Sequence, residues 1–172
     1  WSFILNIIGM LIIFLGIFMI FPLFFGFYFK DQSIIPLAKS MGITIGSGLS
    51  LTICFRRTKI EHISHREGMA IVAIGWTAIG FFGAFPFYLG AEFGSFVDAF
   101  FESVSGFTTT GSSILTNIET VSKGLLFWRS FIQWLGGMGI IVLSVAILPF
   151  LGVGGMQLYK AEVPSPVPDK LK

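Results

Sequence analysis

Ser95-Phe96-Val97-Asp98-Ala99-Phe100-Phe101-Glu102-Ser103-Val104-Ser105-Gly106-Phe107 runs directly into Thr108-Thr109-Thr110-Gly111-Ser112-Ser113. The first half predicts a short helix over about 95–106. Ser95 and Asp98 stand at the spacing of a capping pair, with the acid at the positive helix end, and Phe96, Phe100, Val104 and Phe107 recur at helical intervals. Such a helix is about 18 Å long, roughly half a bilayer. Gly106 ends it, and a segment rich in hydroxyls and glycine, 108–113, follows. The same residues also admit an amphipathic external helix with a polar turn; what lies on either side weighs against that.

Both flanks are membrane-spanning in character. Of the 172 residues, 54% are hydrophobic and only 12% charged, with a mean hydropathy of +0.86. Soluble domains carry about twice that charge. The apolar residues also fall in long blocks rather than periodic stripes. An ordinary cytosolic enzyme, a disordered chain and a nucleic-acid binder are thereby excluded. Residues 2–29 hold no charged side chain, and Pro22 is placed to kink the far end. A second run covers about 34–55, where Gly42 and Gly46 form a small-x-x-x-small surface suited to close helix packing. A third covers 68–91 and a fourth 130–155. Cys54, the only cysteine, reads as a small buried hydrophobe, and no disulfide framework is implied. The chain begins at Trp1 and ends beyond a Pro-rich stretch (Pro164, Pro166, Pro168), so it reads as a piece of a longer polypeptide.

Arg56, Arg57, Lys59 and Arg66 gather in one hydrophilic loop with Glu61, His62, His65 and Glu67, against only Lys30 and Lys39 around the preceding turn. The positive-inside rule puts that loop, and hence the N-terminus, in the cytoplasm. His62 and His65 read as solvated loop residues in preference to a metal pair, since no Cys or third His supports one. Trp128 and Trp134 suit an outer interface. Arg129 reads as an interfacial anchor or as the partner of an acid in the loop. Gly136-Gly137-Met138-Gly139 reads as a close-packing surface, with a hinge as the alternative.

A half-length helix and a Thr/Gly segment between two spans suggest a re-entrant pore loop, and the physics favours cations. The helix C-terminus, partly negative, points into the membrane. The extended backbone of Thr109, Thr110 and Gly111 can aim carbonyl oxygens at one axis and replace an ion's hydration shell, with Thr108 and Ser112 flanking. Irregular backbone at that depth is tolerated only where it lines water or protein. Asp98 and Glu102, one turn apart, are candidates for negative potential at an outer vestibule, or for a cap and a solvated face.

The stretch from Phe100 to Gly111, then Trp128-Arg129-Ser130, Gln133-Trp134-Leu135-Gly136-Gly137-Met138-Gly139 and Gly152-Val153-Gly154-Gly155-Met156-Gln157-Leu158-Tyr159, resembles the Trk-type potassium uptake proteins of bacteria, in the Trk/Ktr/HKT superfamily. The resemblance implies an all-α integral membrane fold in which a helical hairpin precedes four helix–pore loop–helix repeats around one pore. Residues 1–59 are then the hairpin, 68–151 the first repeat and 152–172 a cytoplasmic linker towards the second. Potassium transport follows, with Thr109, Thr110 and Gly111 as one quarter of the filter, acting through backbone carbonyls. The filter holds one glycine where potassium channels have two, which implies a less uniform carbonyl ladder. The resemblance further implies the bacterial cytoplasmic membrane, a homodimer, a cytosolic nucleotide-binding regulatory subunit, potassium as the bound ion, and no organic cofactor in this chain. A tetrameric cation channel subunit is the nearest alternative. A membrane-embedded hydrolase, faintly echoed by Ser103-Val104-Ser105-Gly106, and a structural scaffold are more remote.

Overall fold

The computed structural model describes residues 2–56, 65–90 and 93–147. The readings placed on Arg57, Lys59, Glu61 and His62 of the basic loop and on the expected linker 152–172 lie outside the described residues. Those described are helical or irregular, with no strand among them. Among the described residues, four stretches are long and apolar enough to cross a membrane: Ser2–Phe29, Ile34–Cys54, Arg66–Leu89 and Lys123–Val142.

The first of these is two helices, α1 (Ser2–Phe18) and α2 (Ile20–Phe29). Pro22 has no N–H for the Phe18 carbonyl and its ring crowds that oxygen, so the break falls at Met19, one turn upstream. α2 ends with Lys30 at φ 51°, while Lys30 N–H reaches Phe27 O and Asp31 N–H reaches Gly26 O, both at 3.2 Å. That paired closure is a Schellman motif, and it turns the chain into α3 (Ile34–Cys54). Ile4, Ile8, Ile12 and Leu15 bury one stripe of α1, and Leu37, Ser40, Thr44 and Gly48 one stripe of α3. The backbones meet at Gly9 and Gly48: a Cβ on Gly48 would stand 2.9 Å from Gly9 O. Asn6, the one strongly polar side chain of the first span, donates through Nδ2 to Thr52 O at 3.2 Å.

Three expectations are corrected here. Gly42 and Gly46 meet nothing within 4 Å, and the close α1–α3 approach uses Gly9, Gly16 and Gly48 instead. Cys54 is exposed, because it lies six residues beyond Gly48 and off the packed stripe of α3. Trp128 is fully buried rather than interfacial.

The reason for the last lies in the next span. It too is split, into α4 (His65–Gly83) and α5 (Phe85–Leu89), with Pro86 just beyond the break at Ala84. The interruption leaves the Gly83 carbonyl outside the helical ladder, and the Trp128 indole donates to it at 3.0 Å. Burying an indole is favourable where its N–H finds such a partner. Ser95 then caps α6 (Phe96–Phe107), its hydroxyl accepting from Asp98 N–H at 3.2 Å. An irregular segment leads to α7 (Lys123–Ile147). The chain divides into two compact units at Gly136 and Gly137. Leu15, Met19, Leu37, Ala84, Phe87, Ala99, Phe107, Leu125, Trp128 and Ile132 form the main core of the first.

Candidate functional site

The site is the end of α6 and the segment beyond it. Glycines let α6 sit close to its neighbours. A Cβ on Gly83 would fall 2.6 Å from the Phe107 ring and 2.7 Å from Ser103 Oγ, and one on Gly106 would meet the Ile132 side chain. Gly136 lies against the Phe107 backbone itself, 2.7 Å from its carbonyl carbon if a Cβ were present. Of the two readings of the 136–139 glycines, close packing is therefore realised at Gly136. That contact also sets depth. Gly136 is about 20 Å along α7 from Lys123, so α6 ends well inside the span of α7.

α6 closes on a second Schellman motif. Thr109 N–H reaches Gly106 O at 2.9 Å and Thr110 N–H reaches Ser105 O at 3.0 Å, with Thr109 at φ 57°. That position usually belongs to glycine; a β-branched residue there is a genuine conformational outlier. Gly111 follows at φ 77°. Thr108 (φ −79°) and Thr110 have negative φ, so the sign alternates from 108 to 111. Such alternation turns the peptide groups of successive residues towards a common side, whereas in a regular strand they alternate.

Thr108 through Ile114 are exposed, while Glu102, Ser103, Ser105, Gly106 and Phe107 behind them are buried. The Thr108 hydroxyl donates back to Val104 O at 2.8 Å and stands 2.8 Å from Thr110 Oγ1. Ser105 Oγ donates to Ser112 O at 2.6 Å, which fixes the outgoing limb to α6. The exposed segment is rich in hydroxyl groups and lies beyond the α6 C-terminus, whose partial negative charge favours cations over anions. Among the described residues no group of three His, Cys, Asp or Glu is placed to hold a metal ion.

The two acids expected at an outer vestibule stand in different surroundings. Asp98 lies in the first turn of α6, at the end remote from the loop. Glu102 is 1% exposed; it accepts from Arg129 Nε at 2.5 Å and from Ser113 Oγ at 3.0 Å. Arg129 therefore pairs with an acid beside the loop, one of its two expected roles. The link from Glu102 to Ser113 was not legible, since no spacing rule joins residues across an irregular turn.

Residues 38–172 match the family model described as TrkH, cation transport protein. The chain belongs to the TrkH family. It is 42% identical over 167 residues to the Trk system potassium uptake protein TrkH of Halomonas elongata, covering 96% of this chain and 34% of that one. The protein of the same name from Escherichia coli K12 is 42% identical over 165 residues, covering 95% and 34%. A cation transporter of Methanocaldococcus jannaschii is 38% identical over 160 residues, covering 92% and 33%. The crystal structure of the potassium transporter TrkH from Vibrio parahaemolyticus matches with a TM-score of 0.83 at 38% identity, over 90% of this chain and 33% of that one. The chain spans about a third of the length of these TrkH relatives. Membership makes it part of a multi-pass membrane protein of a cation transporter family, not an enzyme.

Proposed function

We propose that this chain supplies the first of four repeats lining a potassium-conducting path, with Thr109, Thr110 and Gly111 contributing backbone carbonyls to the filter and Thr108 and Ser112 flanking it. The observation that carries the reading is a half-length helix ending deep between two spans, followed by an exposed segment whose backbone φ alternates in sign. The exposed side of that loop is where three further repeats of the same polypeptide would close the ring. Relatives named as potassium uptake proteins, about three times as long, favour this over a tetramer of short subunits. On this reading 1–59 is a leading hairpin, 68–151 the first repeat and 152–172 the way to the second. The N-terminus is cytoplasmic, in the bacterial inner membrane. The whole polypeptide pairs as a homodimer and takes a cytosolic nucleotide-binding subunit.

The experiment is Gly111→Ser in the full-length polypeptide reconstituted in liposomes. A side chain at φ 77° is strained, so the carbonyl row distorts and potassium-over-sodium selection relaxes. An unaltered relative permeability would remove the filter assignment.

A further inference from the structure

The outgoing limb of the loop, from Ser112 to Leu115, has no regular secondary structure. Leu115 packs against the main core at its far end, and two side chains of α6 hold the stretch before it. One is Ser105, through Ser112 O. The other is Glu102, whose Oε1 and Oε2 each accept from Ser113 Oγ at 3.0 Å and whose Oε2 accepts from Ile114 N–H at 3.3 Å. Ser113 Oγ in turn accepts from Leu115 N–H at 3.1 Å. From α7, Arg129 Nε reaches Glu102 Oε1, its side chain 21% exposed against 1% for the acid. A single buried carboxylate so ties α6, α7 and the outgoing limb together. Burying a carboxylate is expensive unless it is paired and hydrogen-bonded. An apolar residue would serve helix packing as well, so what this pair adds is a fixed geometry for the limb.

We propose that Glu102 is the positioning residue of the loop: anchored by Arg129, its carboxylate sets how far the outgoing limb stands from α6, and through that the space and field offered to a dehydrated cation. The inference rests on the filter reading of Thr109–Gly111 and assigns Glu102 control over discrimination by ion size. It touches no ion itself.

The test uses the full-length polypeptide in liposomes, reading rubidium uptake under competition by potassium and by sodium, with the thermal unfolding midpoint measured alongside. Glu102→Gln keeps the shape and removes the charge; the potassium-over-sodium ratio is expected to fall about tenfold, the loss of one charge-assisted hydrogen bond. Ser113→Ala leaves the ion pair and removes only the loop-side donor. It is expected to lower the ratio about threefold with the midpoint unchanged. Should Glu102→Gln fail to insert, Ser113→Ala decides alone. A ratio unchanged in both while Gly111→Ser shifts it would overturn the positioning role and leave the filter reading standing. So would a loss of midpoint and total flux with the ratio intact, which is a merely structural role. If Gly111→Ser also leaves the ratio unaltered, the filter reading itself fails.

Discussion

Replacing Gly136 by Ala puts one methyl group where α7 touches the end of α6. Built on the observed backbone, that carbon lies 2.7 Å from the Phe107 carbonyl carbon and 2.9 Å from its Cα. Carbon atoms pack at about 3.5–4.0 Å, so a gap of roughly 1 Å must open. No rotamer change provides it, because the opposing atoms are backbone. Nor does Phe107 have room to retreat, since Gly83 holds its ring and Gly106 meets Ile132 on α7 itself. Overpacking of this kind costs about 1–3 kcal/mol; an unyielding backbone puts it near 3. Ala returns about 1 kcal/mol of helix propensity over Gly, for a net loss of about 2 kcal/mol. The assay is thermal unfolding of the full-length polypeptide in detergent, with potassium flux in liposomes alongside. Gly75→Ala is the control: its added carbon meets only Leu11 Cδ1 at an ordinary 3.4 Å, so it keeps the propensity gain without the clash. If Gly136→Ala is as stable as Gly75→Ala, the close approach of α7 to Phe107 is not what the glycine is for.

Trp128→Phe strips the donor from Gly83 O and thins a fully buried side chain. A loss of about 2–3 kcal/mol is expected, and an unshifted unfolding midpoint would contradict it. Asp31, in the turn before α3, holds the N-terminus of α7 by accepting from Gly124 N–H at 2.9 Å. Burial pushes its carboxyl up, but the Ser33 hydroxyl and the backbone N–H groups of Gly124, Ser33 and Lys123 outweigh that and hold it below 3.8. Its contribution is therefore complete above about pH 4 and lost as pH falls through the lowered value; the parent's midpoint should drop more steeply than that of Asp31→Asn below about pH 4, and parallel curves would refute the cap. Thr109→Gly relieves a left-handed β-branched residue and should stabilise by about 1 kcal/mol; an unfolding midpoint at or below the parent's would argue against strain at that position.

The outline of the fold was legible because its signals are local. Uncharged runs long enough to span, Ser95 before an apolar stripe, and Pro22 each act within a turn or two of themselves. Even the break at Met19 follows from Pro22 once the acceptor four residues back is counted. What escaped depends on which helix stands beside which. Gly42-x-x-x-Gly46 has the close-packing pattern, yet Gly9 and Gly48 make the contact, because the inward face of α3 is set by Leu37, Ser40, Thr44 and Gly48. Trp128 looked interfacial by type, and only the carbonyl exposed at the α4 break explains why it is inside. At the candidate site, the helix and the Thr/Gly segment were readable; the left-handed Thr109 and the reach of Glu102 to Ser113 were not.

Two kinds of force hold the two limbs of the loop. The incoming limb is fixed by contact: Phe107 is wedged between Gly83 and Gly136, Gly106 stands against Ile132, and the helix closes on its own carbonyls. Steric contact is short-ranged and stiff, so a methyl group there shifts the whole end of α6. The outgoing limb packs Leu115 against the core, but its first residues are fixed by hydrogen bonds to Ser105 and to a carboxylate balanced by Arg129. Those bonds are directional and individually modest, so losing one lets the limb move without dislodging the helix. The exposed tip from Thr108 to Gly111 lies between these supports. Variants at Gly83, Gly106 and Gly136 should thus lower stability and flux together, whereas variants at Glu102 and Ser113 should alter which cation passes before they alter how much passes. A loop held by packing alone would give both effects at both sets of positions.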